Sequence, residues 1–185
     1  MKRTHKYLAA IAAAMLLIAG AALPARVSET GGGSSAGTSP ARAMTLRYDP
    51  QFILEAVAQR LGVTLRPDIP VPTILVESTT PLGRVQEVAE AQWGFRPHVF
   101  VSTYAAAKNE IYLIDDAADY LPYNRTLDDA LAHEFVHYLQ AKYFKDDFKV
   151  EWSEAEAIAV QTWFREEYIY AGRAEAGTQF ASTGR

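Results

Sequence analysis

From Tyr48 onward, stretches in which apolar residues recur every three to four positions alternate with short runs of β-branched and aromatic residues. Asp49-Pro50 supplies a cap and a first-turn proline, and Ile53, Ala56, Val57 and Leu61 follow at helical spacing before Gly62, predicting a first helix. Residues 71–77 (VPTILVE) predict a strand, which Pro72 confines to a sheet edge or a strand start. Thr80-Pro81 opens a second predicted helix with Val85, Val88, Ala89 and Trp93 on one face and Gly94 at its end. Residues 98–104 (HVFVSTY) and 109–115 (NEIYLID), joined by small residues, predict a hairpin. Two more helices are expected over 126–143, opened by a Thr126 cap and the acidic turn Asp128-Asp129, and over 153–170 after a polar loop. This order predicts an α+β domain over 48–171.

The flanks break this pattern. Lys2, Arg3 and Lys6 precede an uncharged apolar run over 7–23, and Leu23-Pro24-Ala25 closes it with small residues. Residues 1–25 therefore read as a signal peptide or a retained membrane anchor, and the protein as exported: periplasmic, secreted or held at the outer face of the cytoplasmic membrane through residues 7–23. Residues 26–47 are Gly/Ser-rich and read as a flexible linker, and residues 172–185 as a polar tail.

Composition narrows the chemistry. With 49% apolar residues among 185, the chain can build a globular core. Residues 1–25 hold three of its 18 basic groups and none of its 22 acidic ones, so the remainder carries 15 against 22, a net −7 that disfavours nucleic acid as a partner. No cysteine is present, so disulfides and thiolate ligands are excluded and a metal site must use His, Asp or Glu.

His133-Glu134-Phe135-Val136-His137 is an H-E-x-x-H motif inside a predicted helix. Positions i and i+4 stand above one another on a helix, so both imidazoles can meet one ion, while Glu134 is displaced by one residue and can reach a metal-bound water as general base. Leu131, Phe135, Val136 and Leu139 give that helix apolar residues on its other faces, as a buried helix requires. No histidine follows His137, so a third protein ligand should be a carboxylate, and Glu151, Glu154 and Glu156 lie at the start of the next helix.

Here the chain resembles the gluzincins, zinc peptidases of thermolysin-like and aminopeptidase-like type whose third ligand is a glutamate on the following helix. Glu154, with Trp152 before it and Ala157 three residues later, is similar to their Glu-x-x-Ala pattern. It ranks first as the third ligand, Glu156 second and Glu151 third. Glu154 also shares a mostly apolar face with Ala157, Ile158, Gln161, Phe164 and Tyr168, whereas Glu156 points roughly 160° away. The resemblance implies a zincin-like fold, one Zn2+ per chain on His133, His137 and Glu154, catalysis by Glu134, and a peptide or protein substrate. It also implies that the strand over 109–115 is an edge strand pairing with extended substrate around Tyr112. One departure stands out: where the family places an acid four residues after the glutamate to orient a histidine, this chain has Ile158, leaving Asp128, Asp129 or a backbone carbonyl as substitutes.

Tyr112, Tyr120, Tyr123 and Tyr143 are candidate donors to a developing oxyanion, and His98 a candidate donor or ligand. Trp93, Trp163 and Phe164 read as core, and Glu166-Glu167 as a solvated face. The function expected is zinc-dependent peptide-bond hydrolysis. The alternative is a non-catalytic, zinc-stabilised envelope module that binds peptides or a partner.

Overall fold

The computed structural model describes residues 43–144 and 150–171; of 150–153 it describes the backbone alone. The signal or anchor segment, most of the linker and the tail lie outside these residues, as do the polar loop and the side chain of Glu151. No helix among the described residues is long and apolar enough to cross a membrane.

The described part is a mixed α+β fold. Helix α1 (Pro50–Arg60) starts where Asp49 accepts the Gln51 N–H. Strand β1 (Thr73–Val76) begins just after Pro72, which has no N–H for a ladder. Helix α2 (Leu82–Trp93) starts at Pro81 and ends on Gly94, whose φ of 79° few other residues adopt. Strands β2 (Thr103–Ala105) and β3 (Glu110–Leu113) form the expected hairpin. Helix α3 (Leu127–Tyr143) opens on a full capping box between Thr126 and Asp129, and helix α4 (Val150–Phe164) runs on into a π-helical turn, Arg165–Tyr170.

The sheet order is β1-β3-β2, with β1 parallel and β2 antiparallel to β3. This corrects one expectation: the 109–115 segment is the central strand, paired on both sides, and the edges are β1 and β2. The hairpin is also shorter than expected on its first side. Ser102 Oγ takes the Ile114 N–H at 3.0 Å, so a side chain ends the ladder one residue beyond the Thr103–Tyr112 pair.

Alternation along β3 sets the layers. Ile111 and Leu113 face the main core, built with Leu131, Phe135, Val136 and Leu139 of α3, Ile53 and Val57 of α1 and Ala157, Val160 and Phe164 of α4. Tyr112 faces the other way, onto Val85 and Val88 of α2 and Phe100. Every residue from Leu127 to Val136 is buried, so α3 is the central helix.

The fold also begins upstream of Tyr48. Ala43 bridges to Asp116, the Met44 N–H donates to the Asp115 carbonyl at 2.7 Å, and Met44 and Leu46 pack on the core. Asp128 Oδ1 accepts the Arg47 and Tyr48 N–H groups at 2.8 and 2.9 Å. The last residues of the expected linker are thus docked by a buried carboxylate that composition alone assigned to the acidic first turn of a helix.

Candidate metal centre

On α3, His133 and His137 stand one turn apart, and their Nε2 atoms are 3.1 Å from each other. Glu154, in the second turn of α4, brings Oε2 to 3.6 Å from His133 Nε2 and Oε1 to 3.3 Å from His137 Nε2. Four zinc bonds of the usual length in a tetrahedron set donor atoms about 3.3 Å apart, and the contacts here, two of them to different oxygens of Glu154, are of comparable length. The donor set of two imidazoles and one carboxylate has the hardness that ion takes. His133 is buried, while His137 and Glu154 are half-buried, so the cluster opens to solvent on one side.

The charges are matched. Hydrogen bonds from His133 and His137 hold the Glu154 carboxyl well below the usual carboxylate range, against the opposing effect of burial. Burial disfavours the His137 cation, but the Glu154 hydrogen bond and the charges of Glu134 and Glu154 outweigh it and raise that imidazole's pKa.

Glu134 is buried beside the pair. Loss of solvation is the main effect on its carboxyl and lifts it above its ordinary range, although both imidazoles and the Tyr104 backbone N–H of β2 pull it down. Its Oε2 has no hydrogen-bond partner among the described residues. A buried carboxylate with one idle oxygen next to a cluster of ligand atoms is arranged to hold or move a proton.

The remaining candidates fall elsewhere. Glu156 Oε2 accepts from Gln140 Nε2 at 2.9 Å and is not among the clustered ligand atoms, so it stands outside the triad. The Tyr112 hydroxyl bonds Glu110 and Arg84, that of Tyr120 bonds the Ile114 carbonyl, and that of Tyr143 accepts from the Arg66 N–H. Tyr123 is exposed on a short 3-10 turn, and His98 is exposed ahead of β2.

The gap left by Ile158 is visible. His133 Nδ1 is buried and unpartnered among the described residues, so none of the expected substitutes, Asp128, Asp129 or a backbone carbonyl, fills it there. Asp128 holds the Arg47 and Tyr48 N–H groups, and Asp129 accepts from Thr126 N and from Gln161 Nε2. Ile158 itself is 47% exposed and leaves the apolar face on which helical spacing put it, which here consists of Ala157, Val160, Gln161 and Phe164.

Two side chains that motif reading passed over touch the site's surroundings. Gln140, three residues after His137 and therefore on the same helix face, accepts from His137 Nδ1 at 3.0 Å. Gln92 of α2 lies along the free edge of β2, where Nε2 donates to the Tyr104 carbonyl and Oε1 accepts from the Ala106 N–H, both at 3.2 Å.

Comparison with protein-family models, with curated proteins and with solved structures finds no match to this chain. Any reading of the site stands on its own residues.

Proposed function

We propose that this protein is an exported zinc-dependent peptidase of gluzincin type with a zincin-like fold. The observation that carries the reading is the convergence of His133, His137 and Glu154 at zinc-sized spacing, with the unpartnered carboxylate oxygen of Glu134 beside them. When bound, zinc supplies a Lewis acid and makes a water acidic enough to lose its proton near neutral pH. Glu134 would serve as the general base that takes a proton from the attacking water and returns it to the leaving amine, a role its raised pKa suits. His133 and His137 present Nε2, and Glu154 offsets the charge of the ion.

The role expected for the 109–115 strand passes to β2, since an internal strand has no free backbone groups for a substrate. β2 is an edge strand whose Tyr104 backbone N–H lowers the Glu134 pKa, so extended peptide added along it, displacing Gln92 from the Tyr104 carbonyl and the Ala106 N–H, would lie at the reacting centre. Export rests on the basic and apolar pattern of residues 1–25.

The test is elemental analysis of the purified protein beside cleavage of a quenched-fluorescence peptide library. One zinc per chain is expected, lost in Glu154→Ala and kept in Glu156→Ala. Glu134→Gln should keep its zinc and lose activity by about 10²–10⁴-fold. An active, zinc-loaded Glu134→Gln protein would sink the mechanism, and zinc without cleavage of any peptide would leave the metal as a structural staple in a binding module.

A further inference from the structure

We infer that Gln140 and Glu156 form a positioning pair that fixes which nitrogen of His137 faces the metal; this rests on the reading of His133, His137 and Glu154 as a zinc site. An ionised carboxylate only accepts hydrogen bonds, so the 2.9 Å contact at Glu156 Oε2 must receive the amide NH2 of Gln140. That choice of face turns the Gln140 carbonyl oxygen toward His137, where it lies 3.0 Å from Nδ1. A carbonyl oxygen also only accepts, so Nδ1 carries a proton whatever the state of Nε2, which donates to Glu154 in the metal-free protein and offers its lone pair to an ion once that proton is displaced. Glu156 thus decides the orientation of an amide, and the amide decides the tautomer of an imidazole.

The pair also spans the two helices that carry the ligands. Gln140 is on α3 one turn beyond His137, Glu156 is on α4 two residues beyond Glu154, and Gln140 is buried while Glu156 is exposed. The contact therefore sets the imidazole and braces the α3–α4 pairing beside the cluster. Among the described residues His133 has no counterpart, its Nδ1 being unpartnered there, and His137 is the ligand whose orientation this pair sets.

The test measures zinc affinity of the full chain by competition with a chromophoric chelator, together with the Nδ1–H signal of ¹⁵N-labelled histidine in the zinc-loaded protein. Gln140→Met keeps side-chain bulk and removes the acceptor. Its zinc dissociation constant should rise about 10–100-fold, the usual effect of losing an outer partner of a metal-bound histidine. The slowly exchanging His137 Nδ1–H signal should disappear, which a merely structural loss would not cause. Glu156→Ala, on the exposed side, guards against misfolding of the first variant and should raise the constant several-fold. The double variant Gln140→Glu with Glu156→Gln reverses the polarity of the pair but again offers an acceptor to Nδ1, and should bind zinc within a few-fold of wild type. Wild-type affinity in Gln140→Met, or a double variant no better than Gln140→Met, overturns the inference while the zinc site stands. A wild-type protein that binds no zinc removes the site and the inference together.

Discussion

At the residue scale, His133, His137 and Glu154 form a cluster whose charges stabilise one another. The His137 pKa is raised above its ordinary 6.5, so its contribution to stability is complete below that pH and is lost as pH rises through the raised value. The Glu154 carboxyl is depressed from 4.5, so its contribution is present above 4.5 and is lost as pH falls through the depressed value. Glu134 works in the same direction as His137, because a carboxyl lifted by burial costs stability once it ionises. In excess chelator the protein should therefore melt highest between about pH 4.5 and 6.5 and lose stability on the alkaline side first. Glu154→Gln should flatten the acid limb, and thermal melts across pH would show it; an unchanged profile would mean that the pair does not form in the metal-free protein.

The first-choice residues at this scale were legible because a helix repeats every 3.6 residues: H-E-x-x-H puts two imidazoles on one face whatever surrounds them. Preference for Glu154 over Glu156 came from the likeness of its surroundings to the gluzincin Glu-x-x-Ala pattern, with helical periodicity in support, and in the structure Glu154 lies in the triad while Glu156 bonds Gln140. The substitute for the acid missing at Ile158 was not legible. Asp128 and Asp129 sit a turn before His133, but their carboxylates are claimed by Thr126 in the local capping box and by Arg47, Tyr48 and Gln161, partners that tertiary packing supplies.

At the scale of elements, the consequential feature is the edge of β2. A strand edge presents unpaired N–H and C=O groups, and here Gln92 of α2 answers two of them with the donor and the acceptor that a neighbouring strand would bring. Gln92→Ala should leave Tyr104 O and Ala106 N to water. Amide exchange at Ala106 should quicken, and extended peptides that pair past Tyr104 should show a KM several-fold lower with kcat unchanged. Hydrogen exchange read by mass spectrometry beside steady-state kinetics separates the two effects, and unchanged exchange at Ala106 would show that Gln92 does not hold this edge in solution. Caps and periodicity foretold the four described α-helices but not the short 3-10 turns Glu77–Thr79, Ala117–Asp119 and Leu121–Tyr123, and the strand order did not follow from them. Residues 109–115 are apolar on both faces because both faces are covered, by α3 on one side and by α2 on the other, and a central strand is what that pattern supports.

At the scale of the whole molecule, the described domain is closed by its own N-terminal segment. Asp128 is almost fully buried at the start of α3 and spends one oxygen on two backbone N–H groups from residues 47 and 48. Removing it leaves two donors without a partner, and Asp128→Ala should lower stability by about 2–3 kcal/mol, with the amides of Arg47 and Tyr48 losing protection. Chemical denaturation gives the first quantity and hydrogen exchange the second. A chain shortened to begin at Tyr48 should be less stable than one beginning at Ala43, because Met44 and Leu46 pack on the core.

Periodicity, capping residues and one spaced motif were enough to place four helices, three strands, the histidine pair and the glutamate between them, because those features depend on contacts within a few residues of chain. The strand order, the docking of residues 43–48, the partner of Glu156 and the outward turn of Ile158 depend on which distant surfaces meet. They arise when α3 is buried from every side and its polar groups must find partners from other elements.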